Sequence, residues 1–211
     1  VMGPILFLLY INGLPDVTTG LLRMFADDTK DRVEISRPED RLTLQSDLDS
    51  LSEWSEKWQL GFNMDKCKTM HLGQSSQHEY RMKTQIGTKT VQATPEEKDL
   101  GVTLDQQLTF ERHIKSKVNK ANQVLGLISR TFKYLDTVAF MCLYKSMVRP
   151  HLEYAVTVWT PYLTKYKRML EKGKRRATRR IPELQGLTYP ERLKKIGLPT
   201  LEYRRLRSDM I

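Results

Sequence analysis

The segment "LLRMFADDTKD" (residues 21–31) ends an apolar run on two adjacent carboxylates, Asp27 and Asp28. Two like charges at about 4 Å repel by roughly 1 kcal/mol in water and by about 4 kcal/mol at an effective dielectric constant of 20. A chain tolerates such a pair in a solvated turn, or around a divalent cation that neutralises it. The rest of the sequence has to decide between these two interpretations.

The residues around the pair predict a β-hairpin. Leu21–Ala26 is apolar enough for a buried strand, and Asp27–Asp31 has the composition of a turn. Val33 and Ile35 then alternate with polar residues, which is typical of a strand that pairs back. We therefore expect both carboxylates at the tip of a hairpin.

The surrounding residues, 1–108, predict an α+β domain, with an antiparallel sheet and covering helices. The apolar run Ile5–Ile11 is too short to span a bilayer and predicts a buried helix or strand. Ser36 and Glu39 form a capping-box pattern for a helix that Gly61 ends. Further strands are predicted, with a tight turn at Gly87 and Thr88, over Thr69–Leu72, Arg81–Ile86, Lys89–Ala93 and Leu100–Leu104.

Residues 109–211 predict an all-helical region. One apolar stripe repeats at intervals of four and three residues through Ile114, Val118, Ala121, Leu125, Ile128 and Phe132. We expect Asp136 to cap a second helix, which Pro150 interrupts. Thr164 is expected to cap a third helix that reaches Pro182. A fourth helix is predicted to start at the Thr188–Glu191 capping box and to end at Gly197.

The charge is unevenly distributed over the 211 residues. Residues 1–110 hold 12 Lys and Arg against 17 Asp and Glu, a net charge of −5, whereas residues 111–211 hold 23 against 8, a net charge of +15. An acidic half followed by a basic half indicates a metal-dependent site beside a surface that binds a polyanion. The two cysteines, Cys67 and Cys142, lie far apart and favour a reduced protein of the nucleus or cytoplasm, neither secreted nor membrane-bound.

The stretch "KYKRMLEKGKRRATRRI" concentrates the basic charge. On a helix, Arg168, Lys172, Arg175 and Arg179 fall within about 60° of one another. An apolar set lies on the opposite side, comprising Tyr166, Leu170, Gly173, Ala177 and Ile181. Such a helix can bury one face and present the other to nucleic-acid phosphates, although a solvated basic face or a nuclear-targeting signal has the same composition.

Several motifs, in order, resemble the reverse transcriptases of non-LTR (LINE-type, jockey-like) retrotransposons. They are "VMGPILFLLYINGLPD", "RMFADDTK", "WQLGFNMDKCKTMHLG" and "EKDLGVTLDQQLTF". The later stretches "YKSMVRPHLEYAVTVWTPY" and "RRATRRIPELQGLTYPERLKKIGLPTLEYRRLRSDMI" resemble the region after the polymerase palm in the same elements. The resemblance implies a partial palm over residues 1–108 and a thumb or connector region over residues 109–211.

The resemblance also implies roles for single residues. "FADD" matches the palm signature, so Asp27 and Asp28 would be ligands of two Mg²⁺ ions and Phe25 would lie beside the primer end. The substrates would be an RNA template, a DNA primer and deoxynucleotide triphosphates.

Three further motifs match the family. "GPILF", with Gly3 and Pro4, matches the tail of a segment that contacts template and incoming nucleotide. Lys66 matches a lysine that assists the departing pyrophosphate, and Gly101 matches the hairpin that grips the primer. A surface lysine and a glycine bulge in an ordinary strand are the alternatives for the last two.

The chain also departs from the family pattern. The strand with the third catalytic carboxylate, the Gln-Gly-Ser segment, the fingers and the accompanying endonuclease are not in the 211 residues, so we expect a piece of a longer protein. Two of three metal ligands would leave the cations under-coordinated, and we expect no polymerase activity from this chain alone. The alternative function is a relic that binds nucleic acid without catalysis.

Overall fold

The computed structural model describes residues 2–73, 78–84, 86–134 and 136–208. The chain forms two compact units, Val1–Glu97 and Lys98–Ile211, so the division falls earlier than the predicted boundary at residue 108. The reason is that residues 98–108 contact the first long helix of the second unit: the backbone N–H of Thr103 donates to Nδ1 of His113 over 3.1 Å. We call the two parts the hairpin unit and the helical unit.

The hairpin unit pairs its described strands two by two. Its elements are α1 (Met2–Ile11), β1 (Arg23–Phe25), β2 (Asp28–Lys30), α2 (Asp40–Trp58), β3 (Lys68–Thr69), β4 (Arg81–Thr84), β5 (Gly87–Thr90) and β6 (Gln92–Ala93). β1 with β2 and β4 with β5 are antiparallel, whereas β3 and β6 are parallel. The predicted tight turn at Gly87 and Thr88 is wrong, because both residues belong to β5, where Gly87 pairs with Thr84 and Thr88 pairs with Lys83.

The start of α2 also differs from the prediction. The Ser36–Glu39 capping box does not form, since Glu39 makes no side-chain cap and the helix begins at Asp40. Instead the Asp40 carboxylate accepts the backbone N–H groups of Ser36 and Arg37 over 2.8 and 2.7 Å. These bonds hold the pKa of Asp40 below its ordinary value. The helix ends at Gln59, which adopts the left-handed conformation, two residues before Gly61.

The apolar run at the start of the chain forms a helix, but the expected burial is wrong. In α1 only Ile11 is buried, while Leu9 is 69% exposed. The small core of this unit comprises Ile11, Leu14, Leu22, Leu51, Trp54, Tyr80, Met82 and Val91. Because most apolar side chains of α1 lie outside this core, the hairpin unit leaves an apolar helix face exposed.

The helical unit begins with a hairpin and continues in helices. Its elements are β7 (Glu96–Asp99, across the division), β8 (Val102–Asp105), α3 (Glu111–Thr131), α4 (Thr137–Leu143), α5 (Arg149–Glu153), α6 (Val156–Trp159), α7 (Thr164–Thr178), α8 (Tyr189–Lys195) and α9 (Leu201–Ser208). The predicted stripe of α3 is buried from Ile114 to Ile128, and only Phe132, just after the helix, is exposed. The Asp136 cap and the Thr188–Glu191 capping box are confirmed.

Two helix boundaries differ from the prediction. Pro150 does not interrupt the helix: α4 runs through a π-helical segment, Tyr144–Val148, directly into α5. Pro150 follows the π-helical segment at once, where the hydrogen-bond register of the helix changes, so the chain accommodates the proline inside a continuous helix. α7 ends at Thr178, earlier than predicted, and Pro182–Leu184 form a short 3-10 helix.

A polar network lies within the helical unit. The Arg204 guanidinium donates to both carboxylate oxygens of Glu153 over 2.6 and 2.9 Å, which joins α9 to α5. Glu171 of α7 accepts the backbone N–H of Leu201 over 3.0 Å. Lys174, 1% exposed, donates to the backbone carbonyl of Pro199, and burial lowers the pKa of its ammonium group to about 8. One lysine of the basic stretch therefore serves packing and not a surface.

Candidate functional site

The two aspartates lie on a hairpin tighter than predicted. Phe25 pairs with Asp28, so only Ala26 and Asp27 form the loop, and Asp28 already belongs to β2. The predicted returning strand at Val33 and Ile35 is absent, because β2 ends at Lys30. The expected burial of the first strand is also wrong, since Phe25 is 63% exposed.

Ala26 adopts a conformation that is unusual for its residue type. Its φ of +53° lies in the left-handed region, which costs an L-residue other than glycine roughly 1–2 kcal/mol. A two-residue hairpin loop needs such a torsion to match the twist of its strands. The loop thus carries backbone strain next to the two carboxylates, a feature that clusters at functional sites.

The carboxylates of Asp27 and Asp28 are available to a ligand. Both side chains are exposed, and neither makes a hydrogen bond or ion pair within the described part of the chain. Hard oxygen donors of this kind suit Mg²⁺, which binds proteins through one or two carboxylates and takes its other ligands from water and phosphate. The described residues place no group of three or more His, Cys, Asp or Glu together for a metal, so the pair supplies two ligands.

Asp47 of α2 anchors the chain that enters the hairpin. Its carboxylate is 1% exposed and accepts three hydrogen bonds: from the backbone N–H of Thr19 over 2.7 Å, from the Thr19 hydroxyl over 2.9 Å and from the backbone N–H of Gly20 over 2.8 Å. The segment also pairs with the other arm, since the N–H of Leu21 donates to the carbonyl of Arg32 over 3.0 Å. Asp47 therefore fixes the base of the hairpin to α2.

A second carboxylate, Asp31, faces the same place. A Cβ atom added to Gly20 would lie 2.5 Å from Oδ1 of Asp31 and 2.9 Å from Oδ2 of Asp47, so only glycine fits between them. Both oxygens of Asp31 are buried without a hydrogen-bond partner of acceptable geometry. Burial first, and then the charge of Asp47, raises the pKa of Asp31, against a smaller opposing effect of the Arg32 backbone N–H.

Asp31 and Asp47 were not predicted as site residues from the sequence. A signal for Asp47 was present, because it lies between Leu44, Leu48 and Leu51 on the side of α2 that is packed. A carboxylate in an apolar stripe needs donors from elsewhere in the fold. Which donors these are depends on tertiary structure, so the bond to Thr19 was not readable from the pattern.

The remaining predicted residues of the hairpin unit lie in exposed positions. Gly3 and Pro4 form the first turn of α1, and a Cβ on Gly3 would meet no atom within 4 Å. Lys66 lies in a turn where its N–H donates to the carbonyl of Asn63 over 3.0 Å. No hydrogen bond or ion pair among the described residues links Lys66 to Asp27 or Asp28, so their predicted cooperation stays a prediction.

Gly101 lies in a two-residue hairpin loop and not in a strand bulge. Leu100 and Gly101 join β7 to β8 and have φ values of +43° and +85°, as hairpin loops with two left-handed residues require. A Cβ on Gly101 would lie 3.2 Å from Cε1 of Tyr154. The hairpin shape agrees with the motif, while the role of Gly101 in holding a primer stays a prediction.

The basic residues of α7 are presented as expected. Arg168, Lys172, Arg175 and Arg179 are exposed, and the opposite set from Tyr166 to Ile181 is buried. Arg179 lies just beyond the end of α7 but keeps a helical torsion, so it stays in line with the others. The Arg175 guanidinium lies 4.8 Å from the centre of the Tyr189 ring, which leaves Arg168, Lys172 and Arg179 as the three without a partner of opposite charge or aromatic type in the described residues.

Comparison with known proteins identifies relatives among mobile elements. The chain is 30% identical over 178 residues to the "RNA-directed DNA polymerase from mobile element jockey" of Drosophila funebris, and 25% identical over 174 residues to that of Drosophila melanogaster. It is 26% identical over 175 residues to the "Probable RNA-directed DNA polymerase from transposon X-element" of Drosophila melanogaster. Each match covers 75% of this chain but 18% of the relative, so the chain spans about a fifth of their length.

The resemblance stated from the motifs is confirmed by these relatives. No protein-family model matches the chain, and no solved structure matches it significantly. Among the described helices, none combines the length and the apolar character needed to cross a membrane.

Proposed function

The chain is homologous to the RNA-directed DNA polymerases of non-LTR retrotransposons, and we propose that it supplies part of such a reverse transcriptase. The observation that carries this proposal is the hairpin with two free adjacent carboxylates, in a chain that aligns with these polymerases over three quarters of its length. In this proposal the hairpin unit is part of the palm, and the helical unit is thumb-like.

The reaction of the intact enzyme is attack of a primer 3′-hydroxyl on the α-phosphate of a deoxynucleotide, with release of pyrophosphate. Bound Mg²⁺ would stabilise the charge that develops on the attacking and leaving oxygens. Asp27 and Asp28 would hold the cations through their free carboxylate oxygens. Asp47 acts as a positioning residue, because its three hydrogen bonds fix the base of the hairpin.

The other residues position the substrates in this proposal. Phe25 packs beside the primer end, and Gly3 and Pro4 lie near template and nucleotide. Lys66 supports the departing pyrophosphate by its positive charge, and the hairpin at Gly101 holds the primer. The exposed guanidinium and ammonium groups of α7 contact phosphates of the RNA–DNA hybrid.

We further propose that the 211 residues alone do not catalyse the reaction. The two carboxylates of the hairpin make two ligands, and the described residues bring no third His, Cys, Asp or Glu to them. An active centre would then need a ligand from another part of a longer protein.

Primer extension tests the catalytic role. In a longer protein that contains this chain, Asp27→Asn should reduce extension of a DNA primer on an RNA template by about 100-fold or more, because the lost carboxylate cannot neutralise the cation. The matched control is Asp16→Asn, an exposed aspartate of the same unit, which should leave extension unchanged. Retained extension in the Asp27 variant would remove that residue from its role.

The second candidate function is a relic that binds nucleic acid without catalysis. The net charge of +15 over residues 111–211 favours it, since binding needs only the helical unit. Primer extension distinguishes the two functions. If the chain binds an RNA–DNA hybrid but the longer protein that contains it extends no primer, the chain is the non-catalytic relic.

A further inference from the structure

Tyr154 is exposed and yet firmly held. Its side chain is 53% exposed, but its hydroxyl donates to the carbonyl of Leu100 over 2.9 Å. Its backbone N–H donates to the carbonyl of Pro150 over 3.0 Å, and its carbonyl accepts the indole N–H of the buried Trp159 over 2.7 Å. These hydrogen bonds fix the orientation of a ring that is still half open to solvent, so the ring can meet another molecule without first being ordered.

The ring lies directly against the hairpin loop. The absence of a side chain at Gly101 makes this possible, because a Cβ atom there would come within 3.2 Å of the ring carbon Cε1. The loop and the ring therefore form one continuous surface, held by the bond between the Tyr154 hydroxyl and Leu100. Exposed tyrosines elsewhere in the unit lack this support: the hydroxyl of Tyr203, whose side chain is 59% exposed, makes no hydrogen bond in the described chain.

Positive charge lies on one side of the ring. The Lys117 ammonium group lies 5.8 Å from the ring centre. His151 precedes Tyr154 by one helical turn, and its pKa is lowered by burial first and then by the charges of Lys117 and Lys120. Lys117 and Lys120 of α3 thus lie on the side of Tyr154 and His151. An aromatic ring among cations is the combination that binds unpaired nucleotides, because the ring stacks on a base and the cations bind its phosphates.

We propose that Tyr154 is a nucleic-acid-contacting residue, whose ring packs on a base or sugar at the end of the bound hybrid while Lys117 binds the adjacent phosphate. This inference rests on the proposed function, and it assigns a role to a residue for which the resemblance implied none. It also gives the Gly101 hairpin a physical role, because the loop holds the ring in place.

The test uses the full 211-residue chain and a labelled RNA–DNA hybrid with a single-stranded overhang. Tyr154→Leu should weaken binding by about 5- to 100-fold without changing the dependence on salt, because stacking is not an ionic contact. Tyr154→Phe keeps the ring and should bind within about twofold of the unaltered chain by the same principle. Lys117→Gln should instead reduce the slope of log affinity against log salt by about 0.9.

Tyr203→Leu is the matched control, and we expect it to bind like the unaltered chain. Equal binding by Tyr154→Leu and the unaltered chain would overturn the proposal. If Tyr154→Leu loses its helical circular dichroism, photocrosslinking of the unaltered chain to an overhang with 5-iodouracil decides: a crosslink at Tyr154 supports the contact, and crosslinks only elsewhere refute it. No binding by the unaltered chain would overturn this proposal, whereas the proposed function is decided separately by primer extension in the longer protein.

Discussion

The hairpin unit and the helical unit differ in how completely they bury their apolar side chains. The core of the helical unit draws on β8 and on every helix from α3 to α9, and fully buries large side chains such as Trp159 and Leu170. Among its described residues, the hairpin unit buries eight apolar side chains in its core and leaves most of α1 exposed. The proposed nucleic-acid-binding surface is therefore held by the well-packed helical unit, whereas the proposed metal ligands belong to the lightly packed hairpin unit.

The largest difference between the units should appear on truncation of apolar side chains. Ile114→Ala in α3 should lower the free energy of unfolding by about 2–5 kcal/mol, because Ile114 is 0% exposed and leaves a cavity. Leu8→Ala in α1 should change it by less than about 0.5 kcal/mol, because Leu8 is 53% exposed. Urea unfolding followed by circular dichroism measures both. Equal losses would show that α1 is covered in solution.

The carboxylates behind the hairpin should respond in opposite directions. Asp47→Asn should lower stability by about 1–3 kcal/mol, because an amide cannot accept all three hydrogen bonds. Asp31→Asn should raise stability at pH 7, because it removes a buried negative charge that lies beside the carboxylate of Asp47. Thermal unfolding of both variants measures the effect.

The sign of the Asp31 effect depends on pH. Because the folded state raises the pKa of Asp31 above its ordinary value of 3.8, its contribution to stability is greatest below that value and is lost as the pH rises through the folded pKa. The gain from Asp31→Asn should therefore shrink as the pH falls toward 4. A gain that grows at low pH would contradict the burial of an unpaired carboxyl group.

The two hairpin loops offer a matched pair of substitutions. Gly101→Ala should cost roughly 1–2 kcal/mol, because an L-residue resists its φ of +85° and the new Cβ would press on Tyr154. Ala26→Gly should change stability by less than about 1 kcal/mol, since relief of the strain at φ +53° is offset by the greater freedom of the unfolded chain. The same unfolding measurement applies, and a large loss in Ala26→Gly would mean that Ala26 makes contacts of its own.

Protonation of His113 should have the smallest effect on stability at neutral pH. Burial lowers the pKa of this side chain to about 4 from 6.5, and its Nδ1 accepts the N–H of Thr103. Its contribution to stability is complete above pH 6.5 and is lost as the pH falls toward 4, because the unfolded chain binds the proton first. The fluorescence of Trp159, whose ring centre is 5.1 Å from that of His113, should report the loss. His113→Gln should flatten this pH dependence.

The sequence predicted best where a pattern repeats. The apolar stripe from Ile114 to Ile128 and the two-faced pattern of α7 each repeat over several helical turns. Every further turn that fits the period strengthens the prediction of which side is buried. The caps at Asp136 and Thr188 were also readable, because a cap involves residues only three positions apart.

Prediction from the sequence failed at the features that depend on contacts between distant parts of the chain. The apolar character of α1 predicted burial, but composition cannot say whether another surface covers a helix. The predicted boundary at residue 108 differs from the observed division because the contact between Thr103 and His113 joins two elements. The same limit hid Asp47 and Tyr154, whose partners lie 28 and 54 residues away in the chain.

We propose that the chain combines a metal-binding hairpin with a helical unit that holds nucleic acid through phosphates. The most direct measurement is the affinity of the full chain for a labelled RNA–DNA hybrid over a range of salt concentrations. Four contacts from α7 should give a log–log slope of about −3.6, and the variant with Arg168, Lys172 and Arg179 all changed to Gln should lose about 2.7 of it. An affinity that does not change with salt, or a slope that the triple variant preserves, would contradict the claim.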